Sequence, residues 1–345
     1  MASTRVLRLH AAHDLRVEEE DVATPGAGEV RVAVERGGIC GSDLHYFHHG
    51  GIGAIRVVDP IILGHEAAGV IEAVGDGVTG LSVGDRVAIH PSNPCGDCKY
   101  CAIGLPHQCL NMRFLGSAMY RPHENGAFRD KMVVAAHRAV PMRKASPDAA
   151  ACVEPLAVCV HAAHQAPSLL GANVIVTGAG PIGALMVAVA RHSGAAHIVV
   201  TDVSPTVLEV AKAMGADETV DVSQKGALDR FAVDKGAFDV GFECSGVGVA
   251  MVDTIRTVKA RGTIVQVGLA GEVALPINMI VAKEIAFRGT HRFHPEFLDA
   301  ARLIDEGRID VRPILSRTLP LTDAEEAFAL AGDRSRAVKV QLAFA

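Results

Sequence analysis

The sequence predicts an α/β protein in two parts: a β-rich lobe formed by both ends of the chain, and an inserted doubly wound parallel-sheet domain. Three observations carry this expectation. A strand of β-branched residues, Val174-Ile175-Val176-Thr177, runs straight into a glycine-rich turn and an apolar helix. From there to about residue 285, strands and helices alternate, which is the order that builds a parallel sheet. On either side the pattern changes, with short strands punctuated by glycine on the N-terminal side.

Length and composition set the outer bounds. A chain of 345 residues is long enough for two domains and a substantial core. A hydrophobic content of 49% excludes a disordered chain. The net charge of −6 comes without a block of like charge, which argues against a nucleic-acid partner. The longest apolar run, around Ala184 to Ala190, is too short for a membrane span and reads as a helix packed on a sheet. Met1 to His10 lacks the charged-then-apolar layout of a signal peptide. The expectation is a cytoplasmic protein whose eight cysteines serve as ligands or buried thiols.

In the N-terminal part, Val30 to Val34 alternates apolar and polar residues, as a half-buried strand does. The glycine-rich run Arg36 to His45 follows and contains Cys40. Ala68 to Gly75 and Val83 to Ile89 read as further short strands of a small barrel or sandwich. Before them stands Gly64-His65-Glu66. The thiol of Cys40, the imidazole of His65 and the carboxylate of Glu66 are ligand types that hold zinc with one position open. Alone, they read rather as a core thiol, a core histidine and a surface glutamate, because such residues are common and the two pieces lie far apart. Their company decides for the metal, beginning with a second signature. Cys95, Cys98 and Cys101 are separated by two residues each, and Cys109 closes the set eight positions on. That spacing suits a tetrahedral four-thiolate zinc site, which staples a loop and leaves no open position. Met112 to Lys131 shows no period and contains Gly116 and Pro122, so a loop is expected. Residues 133 to 141 read as one strand, and Pro147 to Ala163 as one helix carrying Glu154.

The middle of the chain supplies the nucleotide-binding pattern. Gly178, Gly180 and Gly183, with Pro181 and Ile182 between them, sit between strand and helix. The first glycine makes the turn, the second admits a pyrophosphate and the third lets helix and strand pack. The next strand, His197 to Thr201, ends at Asp202, 24 positions beyond Gly178. A carboxylate there accepts from both ribose hydroxyls and repels a 2′-phosphate, so NAD is expected over NADP. A helix from Thr206 to Met214 stops at Gly215. Strands are expected at Thr219 to Val222, Phe238 to Phe242 and Gly262 to Leu269, with a helix near Gly248 to Lys259. Gly268 and Leu269 fall at a strand's carboxyl end, where such sheets bind their cofactor. From Ile285 the pattern changes, and Ala286 to Phe293 is expected to leave the sheet. Helices Pro295 to Glu306 and Asp323 to Ala331 and a strand Val338 to Leu342 end the chain. Residues 1–150 and 286–345 then form one domain, and 151–285 the cofactor domain inserted in it.

Together these residues resemble the zinc-dependent medium-chain dehydrogenases, over nearly the whole chain. Gly64-His65-Glu66-Ala67-Ala68-Gly69, followed by Gly75, resembles the zinc signature of that family, and the four cysteines its structural-zinc lobe. Gly38 to Tyr46 and Val153 to Val158 are similar to the polyol branch, sorbitol dehydrogenase and its relatives. In that branch a glutamate stands where ethanol-type members have cysteine, here Glu154. Met112 to Tyr120, Arg288 to Phe293 and Ala337 to Leu342 are similar to members that oxidise the sugar acid L-idonate.

The resemblance implies a GroES-like catalytic domain, a Rossmann domain for NAD, one catalytic and one structural zinc per chain, and a dimer or tetramer. It implies a catalytic zinc on Cys40, His65 and Glu66, with Glu154 bound directly or through water. It also implies that Ser42 takes the substrate proton and that His45 passes it outward through the cofactor ribose. Arg292 is expected to orient Glu154 or to hold a substrate oxygen. The expected substrate is a small sugar acid or polyol. A sugar acid carries a carboxylate, and Arg113, Arg121 and His123 in the long loop are candidate cations for it, each equally readable as a solvated loop residue. A sorbitol- or xylitol-type dehydrogenase stays open as an alternative. So does a non-catalytic nucleotide-sensing protein that keeps only the structural zinc.

Overall fold

The computed structural model describes residues 2–269 and 271–344. The N-terminal lobe is organised on strand β1 (Glu29–Gly38), where Val30, Val32 and Val34 are buried at every second position. Through Ile39 and Cys40 it feeds helix α1 (Gly41–His49). Strands β2 (Glu66–Val74) and β3 (Arg86–Ile89) follow, β2 antiparallel to β1 and β3 antiparallel to β2. The single strand expected over 133 to 141 is in fact two. Lys131–Ala135 pairs with β1 and Ala139–Pro141 with β3, and a 3₁₀ turn at Ala136–Arg138 separates them. That turn aims Arg138 inward, where it donates to the carbonyls of His90 (2.9 Å) and Pro91 (3.1 Å). The single helix expected over 147 to 163 is also divided, into Pro147–Ala150 and α2 (Val153–Gln165). Pro155 has no N–H to give to the carbonyl four residues back, so a new helix starts just before it.

The middle of the chain forms a six-stranded, all-parallel sheet. Its strands are β4 (Asn173–Thr177), β5 (His197–Asp202), β6 (Glu218–Asp221), β7 (Phe238–Glu243), β8 (Val258–Gln266) and β9 (Ala286–Gly289), in the order β6-β5-β4-β7-β8-β9. Helix α3 (Pro181–His192) follows β4 and buries Gly183 to Ala190. Strand order reverses between β4 and β7, and the crevice outside the carboxyl ends there is where such sheets take a ligand. One expectation is corrected. Residues 286 to 289 do not leave the sheet but pair with β8, from Thr263 opposite Ala286 to Gln266 opposite Gly289.

Helix α4 (Glu296–Asp305) then packs on α2, and strands β10 (Leu315–Pro320) and β11 (Lys339–Ala343) complete the first lobe. β11 runs antiparallel to β1 and parallel to β10, so the end of the chain lies against the strand that leads to Cys40. The core continues between the parts: Leu156 of α2 belongs to one buried cluster with Ala68, Val176, Phe293 and Phe297. Among the described residues no helix is long and apolar enough to cross a membrane.

Candidate active site and metal centres

Two groups of side chains have the make-up of metal sites. In the first, the sulfurs of Cys95, Cys98, Cys101 and Cys109 all lie within 4.8 Å of one another. Cys98 and Cys101 are 3.6 Å apart, Cys98 and Cys109 3.9 Å, and Cys95 and Cys109 3.4 Å. Four thiolates at about 2.3 Å from a tetrahedral zinc stand about 3.8 Å from each other, so this group fits the ion. The backbone is arranged for thiolates. The N–H groups of Cys95 (3.2 Å) and Asn111 (3.3 Å) point at the Cys109 sulfur. Those of Cys101 and Leu110 lower the Cys98 thiol below its usual range. All eight cysteines are free of disulfides.

The second group is assembled from distant pieces. Cys40 precedes α1, His65 and Glu66 open β2, and their ligand atoms lie within 4.8 Å of one another. A buried carboxylate, Asp43, ties the two segments together. It accepts from the N–H of Cys40 (3.0 Å) and of Gly64 (3.2 Å) and lies 3.8 Å from His65 Nδ1. Burial works against the charged form of His65, yet Asp43, Cys40 and Glu154 hold it well above its ordinary value. A pocket with that surplus of negative potential suits a dication, and thiol, imidazole and carboxylate are zinc donors. Behind it, Lys339 of β11 donates to the Ile39 carbonyl (3.0 Å) and pairs with Glu66. A side chain at Gly38 would collide with Glu66, so glycine is what gives this pair its room. Glu154, in the first turn of α2, stands outside the three-ligand group but faces it. Burial pushes its carboxyl up to about 7 against the pull of His65, and Glu66 adds to the rise.

A cavity of about 390 Å³ connects this group to the crevice of the parallel sheet. Cys40, His45 and Glu66 line one side, and Gly178, Gly180 and Ile182 the other. Ser42 is partly buried at the start of α1, and His45 is exposed one turn on. Gly178 takes φ = 88°, the left-handed turn expected of the first glycine. A Cβ on Gly183 would strike the Gly178 carbonyl, while one on Gly180 would meet only the Arg334 guanidinium, at 3.9 Å. The face of Gly180 is thus open, and Pro181 starts α3 with its N-terminus at that face. Asp202 is buried at the end of β5. Gly268 is held by the Glu243 carbonyl (2.8 Å) and Leu269 is 80% exposed. Both border Gly246, the residue after Cys244 and Ser245, which do line the cavity, without lining it themselves.

The long loop supplies one unforeseen contact and occupies its own cations. Phe114 sits between His65 (ring centroids 5.4 Å, planes tilted by 54°) and the Arg292 guanidinium (4.4 Å). Arg292 takes φ = 55°, an uncommon conformation for a residue with a side chain. Burial lowers its basicity, and Glu154, Tyr46 and Tyr120 counter that. Arg121 is instead paired with Asp59 (3.0 Å) on the surface, and Arg113 with Glu124 (3.2 Å). His123 binds the backbone, accepting from Val58 N–H at 3.1 Å. Of the cations named from the sequence, the structure brings Arg292 to the Cys40–His65 group. Asp43, Lys339 and Phe114 complete the group without having been singled out. Asp43 carried one signal, its place three residues after Cys40 at the start of a helix.

Comparison with known proteins shows the family of the chain. Residues 26–144 match the alcohol dehydrogenase GroES-like domain and residues 181–306 the zinc-binding dehydrogenase family. The chain is 45% identical over 315 residues to L-idonate 5-dehydrogenase (NAD(P)(+)) of Escherichia coli K12, covering 91% of each. It is 35% identical to sorbitol dehydrogenase of Gallus gallus, covering 97% of this chain and 94% of that one. The crystal structure of the E. coli L-idonate 5-dehydrogenase superposes with a TM-score of 0.96 at 42% identity, covering 99% of both chains.

Proposed function

As the chain belongs to the zinc-dependent medium-chain dehydrogenases, in the polyol branch that uses NAD(P), we propose that it oxidises a secondary hydroxyl of a sugar acid, L-idonate to 5-ketogluconate. The observation that carries the substrate class is Arg292, a partly buried guanidinium beside Phe114 and Glu154 at the mouth of the Cys40–His65 group. A guanidinium presents a fork of donors matched to a carboxylate, and low exposure strengthens that pairing.

In this reading residues 1–150 and 286–345 carry the chemistry and 151–285, extended by β9, carry the cofactor. Cys40, His65 and Glu66, with Glu154 beside them, hold the catalytic zinc, and Cys95, Cys98, Cys101 and Cys109 hold the structural one. Zinc bound at the first site supplies Lewis acidity, which makes the substrate hydroxyl easier to ionise. Ser42 accepts the hydroxyl proton, and His45, exposed on the cavity wall, delivers it through the cofactor ribose to solvent. Arg292 fixes the acid end of the substrate, so that the carbon losing hydride faces the nicotinamide. Gly178, Gly180 and Gly183 cradle the pyrophosphate with Pro181 and Ile182, Gly268 and Leu269 border the nicotinamide end, and Asp202 receives the ribose of NAD.

Steady-state kinetics on L-idonate, gluconate, sorbitol, xylitol and threonine with NAD test this. L-Idonate should give the highest kcat/KM, and Arg292→Ala should raise KM for idonate far more than for sorbitol. Sorbitol or xylitol leading the panel favours the polyol reading, which Glu154 also fits. Equal losses on both substrates remove Arg292 from carboxylate recognition. Two copies join along the edge strand β9, and on the helix Ile277–Lys283, which precedes it in the chain, Ile277 and Val281 are exposed (57% and 69%). Val281→Glu should then shift the sedimentation coefficient toward the monomer, and an unchanged coefficient counts against this interface. Four converging free thiols suit a reducing cytoplasm, which fractionation of the producing cell checks.

A further inference from the structure

The corner of the crevice that receives the adenosine ribose holds a cation from the far end of the chain. Asp202 is the carboxylate expected to favour NAD, because a bare carboxylate repels a 2′-phosphate. Here it is not bare. Its Oδ1 accepts from the N–H groups of Val203 (2.8 Å) and Ser204 (3.1 Å). Its Oδ2 accepts from the N–H of Ala179 (2.8 Å) and from the guanidinium of Arg334 (2.6 Å). Three amides and a cation cancel most of the negative potential that would turn a phosphate away.

Arg334 is built into this position. The loop that carries it is fixed to the start of the helix after β5: Ser204 Oγ donates to the Arg334 carbonyl (3.1 Å) and Thr206 Oγ1 to that of Ser335 (2.8 Å). Asp333 closes the loop by accepting from the Ser335 N–H (3.0 Å) and hydroxyl (2.6 Å). The backbone is held while the side chain is half exposed (50%) and lines the cavity. One terminal nitrogen faces Asp202 and lies over the open face of Gly180. A guanidinium has five N–H donors, so most of the fork stays available to a ligand at this corner.

We propose that Arg334 is the residue that sets cofactor choice, admitting the 2′-phosphate of NADP where Asp202 alone would select NAD. The inference rests on the dehydrogenase reading above. With NAD, the guanidinium gives way at Oδ2, and the freed acceptor site takes a ribose hydroxyl. With NADP, the fork bridges Asp202 and the 2′-phosphate. The positive charge is contributed by the tail of the catalytic lobe, so cofactor choice is split between the two parts of the chain.

Two small nucleotides that differ only in the 2′-phosphate, 5′-AMP and 2′,5′-ADP, isolate this contact without turnover. Isothermal titration of the zinc-loaded protein should show both binding. In Arg334→Ala, 2′,5′-ADP should weaken about tenfold to a hundredfold, as for a charge-assisted contact, with 5′-AMP within about threefold. Arg334→Lys keeps the charge, should recover part of the loss, and serves where the alanine variant does not fold. Equal weakening of both nucleotides, or no weakening, overturns the proposal. Wild type that binds 5′-AMP but not 2′,5′-ADP also overturns it while leaving the dehydrogenase reading intact. Wild type that binds neither removes both.

Discussion

The four-cysteine lobe and the Cys40–His65–Glu66 group use overlapping chemistry for opposite ends. The lobe draws all its ligands from 15 consecutive residues, 95 to 109, has identical donors, and leaves Cys95 exposed and Cys98 and Cys101 half-buried. The other group draws on α1, β2 and, through Lys339, the last strand, and it crowds Asp43, Glu66, Glu154 and Lys339 into a buried space beside a cavity. A closed set of thiolates can only hold a chain together. A mixed set with buried charge around it, open on one side, costs stability to build and gains reactivity. Removing one ligand from each should therefore separate folding from turnover. Cys40→Ala should lower kcat by about a thousandfold or more, the worth of several kcal/mol of charge stabilisation, with its melting temperature nearly kept. Cys98→Ser should instead open residues 95 to 109 to proteolysis and lower the melting temperature, leaving turnover of the surviving folded fraction near normal. Native mass spectrometry should count one zinc in each variant and two in the wild type. If both variants lose activity and stability in the same proportion, the two centres are not divided in this way.

The second test concerns the charge behind the open group. Lys339 and Glu66 are about 2% and 1% exposed and pair with each other. Lys339→Met leaves Glu66 buried without its cation, which should cost about 3 to 5 kcal/mol in urea unfolding of the zinc-stripped protein. Zinc should restore much of that loss, because Glu66 can turn to the metal. No recovery on adding zinc would place Glu66 outside the ligand set. The lobe differs, since three of its four thiols are not buried.

What was legible in the chain follows from the same contrast. The lobe reads directly, because its ligands are neighbours in sequence. So do the glycine turn at Gly178 and its Asp202, which lie within one strand-helix-strand unit. Strand β9 does not read, because all four of its residues are exposed at a sheet edge and carry no alternation. The break at Ala136–Arg138 does not read either, since its cause is the carbonyls of His90 and Pro91, some 47 residues away in the chain. The break before α2 was readable, from Pro155. The hardest pairs were Glu66 with Lys339 and Asp202 with Arg334, because each joins the last 12 residues to a distant strand, and no local pattern encodes such a contact.

The smallest effect lies at the root of the lobe, where its stability can be probed without touching a ligand. His90 leaves β3 just before the lobe begins, and its ring packs on Phe297 (centroids 4.6 Å) and Phe293 (5.4 Å). Its Nδ1 accepts from the Ser92 N–H (3.2 Å), which requires the unprotonated nitrogen. Burial pushes its pKa down to about 4, with His294, Arg138 and His137 adding repulsion against a backbone contact to His294 that favours the charged form. The folded pKa lies below the unfolded value of about 6.5, so between these two the unfolded chain binds more protons. Stability from this group is fully present above about pH 6.5 and is lost as pH falls toward 4. Between pH 7.5 and 5 the loss comes to at most about 2 kcal/mol. Zinc release from the lobe at low pH also destabilises, so wild type alone does not isolate the term. His90→Gln keeps an acceptor for Ser92 and cannot titrate, and the zinc contribution cancels in the difference between the two proteins. Urea unfolding at both pH values should show wild type losing up to about 2 kcal/mol more than the variant. Parallel losses would assign the acid sensitivity of this region to the thiolates alone.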